Sequence, residues 1–140
     1  MKTILAGLVA LVLVLVSCGI TSANGYNITG NLDVNDVNVF YSQLTNPTDV
    51  FTGNFNAFFK NSRASGYLTL SNQDNDLFVQ WSSEAFGITI TQNDNYAIKF
   101  IANAKVIRNE VLTYEPIYVN YNKLSNQIVI RGYGFRIATA

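Results

Sequence analysis

From Tyr26 to the C-terminus, apolar and β-branched residues come in short runs that alternate with polar ones, cut by clusters of Asn, Asp, Gly and Ser. A period of two in short runs belongs to half-buried strands joined by tight turns. No segment sustains the 3.6-residue period of an amphipathic helix, and Ser82–Phe86 has room for one turn at most. The pattern predicts strands over Tyr26–Val34, Val37–Leu44, Phe51–Lys60, Gly66–Ser71, Leu77–Ser82, Gly87–Thr91, Tyr96–Ala102, Lys105–Arg108, Val111–Tyr121 and Gln127–Ile137. The expected fold is therefore all-β, an antiparallel β-sandwich of about 8–10 short strands, with a closed or partly open β-barrel as the alternative. Phe55, Ala57 and Phe59 share one face of their strand, as do Leu77, Val79 and Trp81, so Trp81 is expected in the core. Phe58, Phe78 and Ile101 fall on the opposite face, which suggests a second covered surface, whether for a ligand, a partner or a dimer.

The N-terminus reads differently. Lys2 precedes Ile4–Val16, thirteen residues without a polar side chain, and small residues follow. A positive start, a short apolar run and a small-residue cleavage region make a secretory signal peptide, expected over Met1–Ser17. The apolar run falls short of the about 20 residues that a membrane span needs. Leu15-Val16-Ser17-Cys18 resembles the lipobox of bacterial lipoproteins. The resemblance implies that Cys18 becomes the lipid-bearing N-terminus. Cys18 is the only cysteine, so no intramolecular disulfide competes for it. Thr21-Ser22-Ala23 offers the alternative, ordinary cleavage after Ala23 and a soluble secreted or periplasmic protein. In a eukaryotic source Asn27-Ile28-Thr29 would instead be a glycosylation acceptor at Asn27. Cys18–Gly25 is expected to be a flexible tether, and residues 26–140 a single all-β domain.

Composition narrows the chemistry. There is no histidine, which removes the commonest general base, the commonest metal ligand and every His-dependent triad. Without histidine, and with the cysteine outside the folded part, no zinc, iron–sulfur or thiol chemistry is expected, nor any cofactor. Without Lys2 the chain carries eight basic and nine acidic side chains, so a nucleic-acid partner is not expected. An enzyme would have to rely on a carboxylate pair drawn from Glu84, Glu110, Glu115 and the aspartates, as in glycoside hydrolysis. That reading ranks last.

Two groups of side chains remain as binding candidates. Asn72, Asp74 and Asp76 alternate as a calcium-binding loop begins, but the glycine and terminal glutamate of such a loop are missing. Tyr114, Tyr118 and Tyr121 fall close together, with Tyr133 on the next strand, and exposed tyrosines serve sugar and protein recognition. The sequence thus leads to an exported, lipid-anchored, non-enzymatic β-domain that binds or scaffolds at the cell envelope, held to the membrane by its lipid and facing a protein or carbohydrate partner. The rival is a lipocalin-like barrel carrying a small apolar ligand.

Overall fold

The structure is a computed structural model and describes residues 20–21, 25–40 and 50–139. Met1–Ser17, Cys18 and the cleavage site after Ala23 lie outside the described residues, as do residues 41–44 of the expected strand Val37–Leu44.

Among the described residues eleven strands run in chain order: β1 Ile20–Thr21, β2 Gly25–Leu32, β3 Val37–Val39, β4 Thr52–Lys60, β5 Arg63–Ser71, β6 Asp76–Ser82, β7 Ile88–Asn93, β8 Ala97–Arg108, β9 Val111–Asn122, β10 Gln127–Gly132 and β11 Phe135–Ala138. All pairings are antiparallel, in the order β1-β2-β4-β5-β6-β8-β9-β10-β11-β3, with β7 also on β8. The expected sandwich is corrected here, because this is one continuous sheet and not two. Its ends lie close in the chain, since only the Asp33–Asp36 turn separates β2 from β3. Rings also meet between strands that are not sheet neighbours. Phe59 of β4 packs on Phe100 of β8 at 5.5 Å and on Tyr121 of β9 at 6.0 Å, and Tyr26 of β2 meets Tyr121 at 5.6 Å. The sheet therefore curls on itself into a nearly closed barrel, the alternative architecture.

The alternation explains how it closes. Phe55, Ala57, Phe59, Leu68, Leu70, Leu77, Val79, Trp81, Phe100, Val106, Ile117, Val119, Ile128 and Ile137 all point inward and are buried. The intervening outward positions are mixed, with Asn, Thr, Lys and Arg beside Phe58, Phe78, Ile101, Ile107, Tyr118 and Val129.

Three sequence expectations change. Tyr96–Ala102 and Lys105–Arg108 are one strand, β8, because Asn103 and Ala104 continue the ladder opposite Pro116 and Glu115. Its length lets β6 pair with one half and β7 with the other. Gln127–Ile137 is two strands, not one. Gly134 adopts φ +80°, a left-handed geometry that glycine takes without steric cost, and the chain reverses there. The reversal moves Phe135 from the outward set of Val129 and Arg131 into the core. Part of the expected tether also joins the sheet, as Ile20–Thr21 pairs with Gly25–Tyr26.

The barrel has two distinguishable ends. The entry at β1–β2 lies with the β4–β5, β7–β8 and β9–β10 turns, joined by Asn93 Nδ2 donating to the Asn61 carbonyl and Lys123 N–H to the Tyr96 carbonyl. At the far end the β5–β6 and β8–β9 turns meet through Asn109 Nδ2 donating to Asn75 Oδ1 at 2.8 Å.

Candidate functional site

On β8, inward Ile98, Phe100, Ala102 and Ala104 leave Lys99, Ile101, Asn103 and Lys105 pointing out. On β9, inward Ile117, Val119 and Tyr121 leave Pro116, Tyr118 and Asn120 outside. On β10 and β11 the outward residues are Val129, Arg131 and Arg136. The register then aligns them. One row across the outer face reads Ile101, Tyr118, Arg131, Arg136 and Asn38, each directly opposite the next. The neighbouring row reads Lys99, Asn120, Val129 and Ala138.

The Arg131 guanidinium lies 4.7 Å from the centroid of the Tyr118 ring, a cation–π contact. Beside it runs an open groove of about 460 Å³, with Ile101, Tyr118 and Val129 among its apolar lining and Lys99, Arg131 and Arg136 as its cations. A second recess of about 420 Å³ adjoins on the other side of Tyr118, between Pro116, Gly132 and Tyr133. Tyr118 is common to both.

Away from the second recess, which Glu115 also borders, the electrostatics of this face are one-sided. Among the described residues, the ion pairs are Arg63 with Glu84 and Arg108 with Glu115. Neither involves Lys99, Lys105, Arg131 or Arg136. The outward positions of β8 to β11 hold no aspartate or glutamate. Glu115 faces the other way, into the far end of the barrel, where the Arg108 guanidinium and the Thr113 hydroxyl donate to it. Burial pushes the Glu115 carboxyl up, but those two hydrogen bonds and the Arg108 charge outweigh it and leave its pKa below the usual value. Arg108 also donates to the Tyr133 carbonyl at 2.7 Å, tying the β8–β9 hairpin to the β10–β11 turn beneath the second recess.

The sequence-derived candidates separate accordingly. Tyr118 and Tyr133 are exposed and line the recess. Tyr114 is also exposed, in ring contact with Phe86 at 5.8 Å. Tyr121 does not belong with them. It points inward, is fully buried, and its hydroxyl donates to Asn126 Oδ1 at 2.6 Å. Asn72, Asp74 and Asp76 fall at the β5–β6 turn. Asn72 Oδ1 accepts the backbone N–H groups of Asp74 and Asn75, which closes the turn, and the Asp76 N–H donates to Asn109 Oδ1. Among the described residues no three acidic side chains converge on a point. Asn27 is exposed on β2, where its Oδ1 accepts from Asn56 Nδ2.

Lys99, Arg131 and Arg136 were not sequence candidates. Alternation alone places Arg131 with Tyr133 and Val129, but their alignment with Tyr118, Lys99 and Arg136 depends on register across four strands. Comparison with protein-family models, curated proteins and solved structures finds no match. The chemistry of this face therefore rests on its own residues.

Proposed function

We propose that this is an exported, lipid-anchored, non-enzymatic module that holds an external partner on the outer face of β8 to β11. The observation that carries the reading is the row of Ile101, Tyr118, Arg131 and Arg136, a continuous aromatic and cationic strip bordered by two open grooves. The interior favours a surface role over ligand carriage. Trp81, Tyr121, Phe100 and Phe135 fill it with fully buried side chains. The carboxylates offer little to catalysis. Glu84 pairs with Arg63, and Glu115 is held by Arg108 and Thr113.

The ends of the barrel suit such a role. The chain enters β2 beside the β4–β5 turn, where Gly25 packs against the Phe59 carbonyl. The Tyr133 recess lies toward the opposite end, beside the β10–β11 turn. A lipid on Cys18 would hold the entry end at the membrane and direct the recess away from it. Stable anchorage needs two or more acyl chains.

Two measurements test the reading. Intact mass of the membrane-associated protein should give a chain starting at Cys18 with added acyl mass. A chain starting at Asn24 sinks the anchor. The soluble Cys18→Ser protein should co-sediment with insoluble envelope material of its own source, and the Tyr118→Ser/Tyr133→Ser variant should not. Equal sedimentation of the two proteins sinks the face.

A further inference from the structure

We propose that the groove bordered by Lys99, Arg131 and Arg136 binds an acidic polysaccharide, a chain of sugars bearing carboxylates. The inference rests on the surface reading above and names the chemistry of its partner.

The first argument is the pairing of Arg131 with Arg136. The two are directly opposite on β10 and β11, with neighbouring strands about 4.8 Å apart. Like charges so placed destabilise a sheet. Neither arginine forms an ion pair with a described carboxylate. An anion between the two would turn the repulsion into attraction, and planar guanidinium forks match a carboxylate with two parallel hydrogen bonds. Lys99 supplies a further cation along the same groove.

The second argument is the floor. Ile101, Tyr118 and Val129 lie between these cations. A pyranose ring presents one flat C–H face and a polar rim. Set on that floor, it would place a ring carboxylate at the arginines. The groove is open and crosses several strands, which suits an extended polymer and not a small enclosed ligand.

The third argument separates this partner from other polyanions. Single-stranded nucleic acid stacks successive bases on successive aromatic rings, and the lining of this groove offers one exposed ring, Tyr118. The chain as a whole has no excess of positive charge. The face is therefore a local cationic strip and not a footprint for a phosphate backbone. An acidic peptide shares the charge but brings no flat ring to the floor.

The test uses the soluble Cys18→Ser full chain and a hexamer of 1,4-linked galacturonate, followed by calorimetry and by amide shifts in NMR. Binding is expected, with shifts confined to β8 to β11. Full methyl esterification of the hexamer should abolish it. Arg131→Gln/Arg136→Gln should weaken it at least tenfold while leaving the thermal midpoint equal or higher, because the substitution relieves a repulsion. Hexaglutamate should bind at least tenfold more weakly than the uronate. The proposal is overturned if the ester binds as well as the acid, if hexaglutamate matches the uronate, if the shifts fall elsewhere, or if no uronate binding occurs. The last result, with envelope co-sedimentation still dependent on Tyr118 and Tyr133, would remove the polysaccharide and leave the surface reading standing. Loss of both would remove the two together.

Discussion

The ring of Trp81 lies over Gly66, its direct cross-strand partner on β5, so closely that a β-carbon at residue 66 would sit 2.4 Å from the ring's Cζ2. The same pairing recurs as Gly30 with Phe55 and Gly132 with Phe135. In each, an inward ring occupies the space of a missing side chain, which lets a curled sheet fill its interior. The Trp81 Nε1–H finds no acceptor, so the indole contributes volume and not a hydrogen bond. Gly66→Ala is expected to cost about 1–3 kcal/mol, the range for overpacking a core. Trp81 is the sole tryptophan, so its fluorescence reports the change directly. Trp81→Leu will also destabilise, but the double variant should lose less than the sum of the two, because the ring that the added methyl group meets is gone. Strict additivity would show that the ring contact is not the cause. The Asn56 carbonyl, 2.2 Å from the same β-carbon position, would then carry the whole penalty.

The Arg108–Glu115 pair makes stability depend on acid. Their side chains are only 12% and 19% exposed. The native state holds the Glu115 pKa below its ordinary value, so the stabilisation is fully present above the unfolded carboxylate pKa of about 4.3. It is lost as pH falls through the lower folded value. Urea midpoints should therefore be flat from neutrality to about pH 5 and should drop below about pH 4. Glu115→Gln should destabilise at neutral pH by roughly 1–3 kcal/mol, the cost of leaving the part-buried Arg108 donors without their charged acceptor. It should also flatten the acid limb, and an unchanged limb in that variant would assign the acid sensitivity elsewhere. Asp94 also has a lowered pKa, chiefly through the Tyr96 and Ala97 backbone N–H groups, and Asp94→Asn is the control for its share.

Tyr121 gives the alkaline counterpart. Burial raises its pKa, and neighbouring Tyr26 adds to the shift. The folded state thus holds this proton more tightly, and the contribution is present below the unfolded tyrosine pKa of about 10 and lost as pH rises through the folded value. In a spectrophotometric titration Tyr121 should ionise late and together with unfolding. Tyr121→Phe should remove that step and cost about 0.5–1.5 kcal/mol at neutral pH for the bond to Asn126. Ionisation of all eight tyrosines in one exposed class would contradict this.

Much of the barrel was legible in the alternation, because burial on one side of a strand leaves a period of two that needs no partner to be seen. Phe55 to Phe59 and Leu77 to Trp81 point as that period requires. The choice between sandwich and barrel was not legible. Asn103 is a turn former by type, so β8 reads as two strands, and the ladder that carries it through opposite Pro116 and Glu115 leaves no trace in its own residues. Tyr121 was misplaced for a related reason. Proximity in sequence grouped it with Tyr114 and Tyr118, yet odd positions of β9 from Ile117 onward face inward and even ones outward. The cationic strip was hidden most deeply, since it draws on four strands, and register between strands leaves little trace in any one of them.

The β8–β9 turn offers the last case. Asn109 and Glu110 both take positive φ, 47° and 71°, between the paired residues Arg108 and Val111. Two positive φ values in a two-residue loop define the hairpin turn that prefers Asn-Gly. Asn109 fits it, and its side chain also braces the β5–β6 turn through Asp76 and Asn75. Glu110 has a β-carbon that this geometry penalises by about 1–2 kcal/mol. Glu110→Gly removes the penalty but frees the unfolded chain, which returns about 0.4–1 kcal/mol. The net gain should be about 0.5–1 kcal/mol, read as a higher thermal midpoint. Glu110→Ala removes the same carboxylate and keeps the β-carbon, so its midpoint should stay near that of the parent chain. If both variants gain equally, the charge of Glu110 beside Asp76 is the cause and the backbone is not.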